Sequence, residues 1–178
     1  MLPTDYGRTL AGYFGESLAT DVEREYPLVQ FNSPSEAYAA AVTDYFFSCP
    51  AVAIDRWIGK AMPVYEYEFN DRTAPAYLNP TTYPQGASHT YELPYLFPGF
   101  HGGKGNAVKL NPLQEVLSTQ MIHYWAQPRE QIEHGTTWSP YDEAQDNVMN
   151  LTLPMPRPTS HTFRTVHHCD YWDRSGAY

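Results

Sequence analysis

One six-residue segment limits the fold of this chain more than any other. Val64-Tyr65-Glu66-Tyr67-Glu68-Phe69 alternates apolar and acidic residues, with Tyr65, Tyr67 and Phe69 on one face and Glu66 and Glu68 on the other. That period of two predicts a β-strand over 64–69. The only other strand signal is the short run Val148-Met149-Asn150-Leu151-Thr152-Leu153. A lone strand leaves rows of N–H and C=O groups unpaired, and an isolated pair of strands is marginal in water. The expected fold class is therefore α/β with an incomplete sheet, a piece of a larger sheet whose other strands lie outside residues 1–178.

Helical periodicity surrounds these strands. Leu10, Phe14, Leu18 and Val22 recur every four residues, which predicts two short helical pieces within 4–25. Ser33-Pro34-Ser35-Glu36 is a capping box with Pro at the first helical position. It predicts a helix from 34 to about Ser48, ended or kinked by Pro50. A further short helix is expected over 51–60, closing at Gly59. Asn111-Pro112 opens another helix, with Leu113, Val116, Leu117, Met121, Tyr124 and Trp125 as its apolar face and Pro128 as its stop. A last helix is expected over 162–172. The loop after the strand is rich in Pro, Asn and Thr and runs to Gly86.

Composition excludes several partner classes. The net charge is −9, from 20 acidic and 11 basic residues, and no Lys/Arg cluster is present. Nucleic acid is not expected as a partner, because phosphate contacts need clustered cations. A negative field also repels anionic membranes. No run of 18 apolar residues occurs, so no bilayer span is expected. The start, Met1-Leu2-Pro3-Thr4-Asp5-Tyr6, lacks the basic and apolar regions of a signal peptide. The two cysteines, Cys49 and Cys169, read by composition alone as buried free thiols.

The site chemistry that best fits the chain is that of a serine hydrolase. A hydroxyl attacks, an imidazole takes its proton, and a carboxylate holds the imidazole in one tautomer. In α/β-hydrolases the chain order is Ser, acid, His. His89 lies 20 residues past Phe69, on the loop that follows the strand. Spacing alone leaves it one candidate among seven histidines.

The surrounding residues add to that reading. Gly86-Ala87-Ser88-His89-Thr90-Tyr91-Glu92-Leu93-Pro94-Tyr95-Leu96-Phe97 resembles the catalytic-histidine segment of the type-B carboxylesterases, a family that includes the cholinesterases. In chain order, Asp44-Tyr45-Phe46-Phe47-Ser48-Cys49-Pro50 resembles the family's Asp-x-x-Phe-x-Cys-Pro segment, and Pro63 to Phe69 its last core strand. Met121-Ile122-His123-Tyr124-Trp125-Ala126 and Trp138-Ser139-Pro140-Tyr141 resemble two further family segments. Two departures stand out. Thr90 occupies a position where many members have Gly, and Pro128-Arg129-Glu130 interrupts the stretch after Trp125.

The resemblance implies that the chain is the C-terminal part of an α/β-hydrolase domain: last core strand, catalytic-histidine loop and packing helices. The parent protein would be a carboxylic ester hydrolase acting on a small-molecule ester, with His89 as general base and then general acid. No cofactor and no metal are expected. The nucleophile and the triad acid would come from the missing N-terminal part of the same domain. The alternative is an inactive truncated member, or one that serves as an adhesion or binding protein. The resemblance also implies a Cys49–Cys169 disulfide, and with it an extracellular or otherwise oxidising location.

Four weaker features are set aside. Gly15-Glu16-Ser17-Leu18-Ala19 begins like a nucleophile elbow, but it lacks the second Gly and a preceding strand, so Ser17 reads as a helical residue. His167-His168 diverge by about 100° on a helix and read as a solvated pair, not a metal site. Asn150-Leu151-Thr152 matches a glycosylation sequon but falls inside a strand. Glu92 is expected to steady the His89 loop, not to serve as the triad acid.

Overall fold

A computed structural model describes residues 1–79, 81, 83–103, 107–127 and 136–176. The elements in chain order are α1 (Tyr6–Phe14), α2 (Glu16–Glu25), α3 (Pro34–Thr43), a π-helical turn (Asp44–Ser48) and α4 (Cys49–Ile58). Then come β1 (Tyr67–Phe69), α5 (Leu93–Leu96), α6 (Pro112–Ala126), β2 (Met149–Leu151), β3 (Arg157–Pro158), α7 (Phe163–Val166) and α8 (Cys169–Ser175). The chain divides into two compact units, one of residues Met1–Ile54 with Thr162–Tyr178, the other of Asp55–His161.

The first unit is helical. α1 and α2 are separated at Gly15, whose φ of 82° lies in the region only glycine enters without strain. Ser17 sits exposed in the first turn of α2, and no strand precedes it there. Ser33 caps α3 by accepting from the Glu36 N–H at 3.2 Å, and the Glu36 carboxylate accepts from the Asn32 N–H at 3.2 Å. The helix does not end at Pro50 as expected. Residues Pro34–Ile58 form one helical run, with Pro50 in the second position of α4. Proline clashes with the carbonyl four residues back. The π turn widens the coil at that point, and the Cys49 N–H reaches back five residues to the Asp44 carbonyl. This 25-residue run is long and apolar enough to span a bilayer by length and composition. Its Ala37, Ala41, Asp44, Cys49 and Val52 are buried in the protein, and core helices meet the same criterion.

A buried polar chain holds the unit together. The Trp172 indole N–H donates to Tyr26 Oη at 2.7 Å, and the Tyr26 hydroxyl donates to Asp44 Oδ2 at 2.9 Å. Tyr6 Oη donates to the Tyr26 carbonyl at 2.8 Å. Asp44 Oδ1 lies 2.6 Å from His167 Nδ1, and Glu25 Oε1 lies 2.8 Å from His168 Nδ1. The two histidines are thus engaged by carboxylates, which corrects their reading as a solvated pair. They also break the expected last helix into α7 and α8, with His168 left-handed at φ 53°. Burial pushes the Asp44 carboxyl up, and the hydrogen bonds from His167 and Tyr26 oppose that rise.

Cys49 and Cys169 form a disulfide, with Cα atoms 5.1 Å apart and both residues fully buried. The bridge closes a loop of 120 residues. In the chain-entropy account such a loop is worth roughly 5 kcal/mol, and removing native disulfides from small domains costs about 2–5 kcal/mol. Replacing both cysteines by alanine is expected to lower stability by about that amount in denaturant titration. Thiol labelling should find two sites only after reduction and unfolding.

The second unit carries the sheet. Its order is β1-β2-β3, with β1 and β2 parallel and β2 and β3 antiparallel. Tyr67 pairs with Met149 and Phe69 with Leu151, so these four side chains share one face. α6 covers that face with Leu117, Met121 and Tyr124, joined by Tyr95 and Trp138. Asn111 caps α6 through a full capping box, accepting from the Leu113 and Gln114 N–H groups while Gln114 Oε1 accepts from the Asn111 N–H at 3.0 Å. Among the described residues no strand pairs with the outer edge of β1. The strand segment is shorter than the six residues expected, and β3 and α5 were not expected at all. Asn150 sits mid-strand between β1 and β3, which leaves the sequon without the surface loop that glycosylation requires.

By strand alternation Glu66 turns away from α6, and its carboxyl hydrogen-bonds the buried Asp55 of α4. Its own carbonyl is held twice, by the Met149 N–H at 3.0 Å and the Trp138 indole N–H at 3.1 Å, so the residue cannot swing aside. Burial, then the hydrogen bond and the charge of Asp55, push the Glu66 carboxyl from its ordinary 4.5 up to about 9. A raised carboxyl means that the folded state holds a proton the unfolded chain releases. Stability from this pair is therefore complete below about pH 4.5 and is lost as pH rises through about 9. Denaturant titrations across that window should show declining stability in the native protein and a flatter profile in Glu66→Gln. Equal slopes would refute the coupling.

Candidate functional site

The site is built on the loop between β1 and α6. At the end of β1 the Asn70 N–H donates to the Leu151 carbonyl at 2.9 Å, which carries the chain one residue past the strand. Asp71 follows, only 3% exposed. Its Oδ1 accepts from the Thr73 N–H at 2.9 Å and the Thr73 hydroxyl at 2.6 Å, closing an Asx turn. Its Oδ2 accepts from the Tyr95 hydroxyl at 2.6 Å and from Gln114 Nε2 at 3.0 Å. Burial opposes the Asp71 carboxylate, but these donors from Thr73, Tyr95 and Gln114 outweigh it and hold the carboxyl below its ordinary value. One buried anion thus ties the strand end to α5 and α6, and the loop bearing His89 starts and returns at that knot.

His89 lies in that loop, in the turn that precedes α5, and its side chain is exposed. This is the placement expected of it: an irregular segment after the strand, at the surface. The turn is closed by the Tyr91 N–H donating to the Ser88 carbonyl at 2.9 Å, and the Ser88 hydroxyl donates to the Gln85 carbonyl at 2.5 Å. Tyr91 is buried and its hydroxyl donates to Gln85 Oε1. Glu92, expected to steady the loop, is half-buried at the N-cap position of α5, where its side chain makes no capping hydrogen bond.

Thr90, directly after His89, is left-handed at φ 74°. A β-branched residue there costs on the order of 1–2 kcal/mol. The residue is secured by Tyr77, whose hydroxyl donates to the Thr90 carbonyl at 2.9 Å and also meets the Thr90 hydroxyl. Tyr77 is itself 8% exposed, with its ring 5.1 Å from Tyr91 and 5.0 Å from Phe100. On its remaining side lies Gly102, where any Cβ would strike the Tyr77 ring.

The residues that shape the site were therefore legible only in part. His89 was singled out by its loop and the resemblance around it. Asp71, Tyr77, Tyr95 and Gln114 were missed. Asp71-Arg72-Thr73 carried a usable signal, since Asp followed two residues later by Thr is an Asx-turn pattern. Tyr77 had none. The family segments at 44–50 and 121–126 fall on the π turn with α4 and on the end of α6. Pro128-Arg129-Glu130 lies outside the described residues. Among the described residues no group of three or more His, Cys, Asp or Glu is placed to hold a metal ion.

Over 139 residues the chain is 29% identical to human cocaine esterase, a match that covers 75% of this chain and 23% of that protein. Over 90 residues it is 33% identical to rat acylcarnitine hydrolase, covering 50% of this chain and 15% of that protein. The matched region thus spans less than a quarter of either relative. A family model described as the carboxylesterase family, whose fold is the α/β hydrolase, matches residues 16–172, and on that match the chain belongs to the carboxylesterase family.

Proposed function

We propose that this chain is the C-terminal part of a serine carboxylesterase domain and that His89 is the general base of that enzyme. The observation that carries the proposal is the His89 turn itself: an exposed imidazole on an anchored loop at the end of a sheet strand, in a chain of this family. A serine from the remainder of the domain would attack the ester carbonyl while His89 accepts its proton. The alcohol would leave with that proton, and the acyl-enzyme would be cleared by a water activated in the same way. No cofactor enters these steps. The substrate class is a small carboxylic ester, in keeping with the names of the relatives. The disulfide supports a secreted or otherwise oxidising location.

The partner this reading requires is the rest of the hydrolase domain. The outer edge of β1, with which no strand pairs among the described residues, and the exposed Phe97, Leu113 and Val116 are surfaces such a partner would cover. An uncovered strand edge beside apolar surface templates association. The purified chain is therefore expected to elute as oligomers in size-exclusion chromatography and to bind dyes specific for exposed apolar surface. A clean monomer with a sharp two-state melt would overturn the reading as a fragment.

Activity separates enzyme from remnant. The 178-residue chain should hydrolyse p-nitrophenyl acetate no faster than its His89→Ala variant. In a protein that joins the chain to the preceding part of a carboxylesterase domain, His89→Ala should lower kcat by at least ~10³-fold. Undiminished turnover in that variant would sink the assignment. Turnover by the short chain that is abolished by Ser17→Ala would place the nucleophile in α2 instead.

A further inference from the structure

We infer that Tyr77 is a positioning residue for His89, acting through a two-point clasp on Thr90. The inference deepens the reading of His89 as general base and names what fixes that histidine's backbone.

Three observations meet at one residue. Among the described residues Thr90 is one of four non-glycine residues with positive φ, and it is the β-branched one, the kind that resists that conformation most. It immediately follows His89, so its backbone angles set where the His89 peptide and the start of α5 point. The Tyr77 hydroxyl reaches both polar groups of Thr90. It donates its proton to the Thr90 carbonyl, and its oxygen is then available to accept from the Thr90 hydroxyl. Each of the two hydroxyls has one proton to donate, Tyr77's to the Thr90 carbonyl and Thr90's to the Tyr77 oxygen, so neither proton is left over.

The clasp can act only if Tyr77 is itself immobile. Its ring is enclosed by Tyr91, Phe100 and the backbone of Gly102, so the hydroxyl is presented at a set height. Tyr91 shares in this: its ring supports Tyr77, and its N–H closes the turn over His89 onto the Ser88 carbonyl. Removing the Tyr77 hydroxyl frees Thr90 to relax toward negative φ, and the turn that carries His89 opens with it.

Hydrogen exchange followed by mass spectrometry tests this on the chain as it is. Tyr77→Phe keeps the ring and loses the clasp. It should speed exchange in peptides covering 88–92 by about tenfold, with peptides covering 66–70 and 147–151 unchanged. Thr90→Val keeps the branch and loses the hydroxyl, and should speed the same peptide. Thr90→Gly removes the strain, so Tyr77→Phe in that background should change exchange by less than about twofold. This rescue separates positioning from plain stabilisation, which would raise exchange in the strand peptides as well and would not depend on residue 90. Unaltered exchange at 88–92 in Tyr77→Phe, or an equal effect in the Thr90→Gly background, overturns the inference. Because exchange needs no turnover, the result stands apart from the activity of His89→Ala: either can fail while the other holds.

Discussion

The parallel pairing of β1 with β2 is the constraint on which the second unit depends. Parallel strands cannot be joined by a tight turn, so the chain between Phe69 and Met149 must cross over the sheet and return. That crossover contains every element of the candidate site: the Asp71 turn, the His89 turn, α5 and α6. The register is set at one atom. The Glu66 carbonyl receives both the Met149 N–H from the neighbouring strand and the Trp138 indole N–H from the returning chain. A slip of one residue would turn Tyr67 and Phe69 off the α6 face and bring Glu66 and Glu68 onto it. The apolar alternation of the strand and the double bond to Glu66 therefore enforce the same answer.

Much of this was legible from residues alone, for identifiable reasons. The caps at Ser33 and Asn111 are local chemistry, and both helices begin where the caps place them. The alternation over 64–69 is also local, and its face was read correctly. What was not legible depends on partners distant in the chain. The ladder recognises only 67–69 as strand because β2 offers only three residues to pair with. The helix passes Pro50 because a π turn accommodates the ring, and no propensity reports that. His167 and His168 look solvated until Asp44 and Glu25, more than a hundred residues earlier, are brought to them. The disulfide shows the same limit: composition read two free thiols, and only the family resemblance paired them.

Three acidic positions, Asp71 and Asp44 buried and Glu66 half-buried, show how one side-chain type takes different roles by counting its donors. Asp71 receives four hydrogen bonds and is held as an anion, so it works as a fixed anchor. Asp44 receives two partners, His167 and Tyr26, against a larger desolvation, and its carboxyl rises. Glu66 has another carboxyl as its partner, and one proton must serve both. Burial is common to all three. The number and charge of the donors decide whether the group anchors, balances or titrates.

The same reasoning explains how the turn that carries His89 is held. Its position is set from within the second unit. Asp71 ties both ends of the loop, Tyr77 and Tyr91 hold the turn, and α6 backs the strand. All of these groups lie in that unit. A nucleophile, by contrast, needs a strained turn at the end of its own strand, and Ser17 on an exposed helix has neither. The histidine loop belongs to the crossover between β1 and β2, and among the described residues no further strand lies on the outer edge of β1.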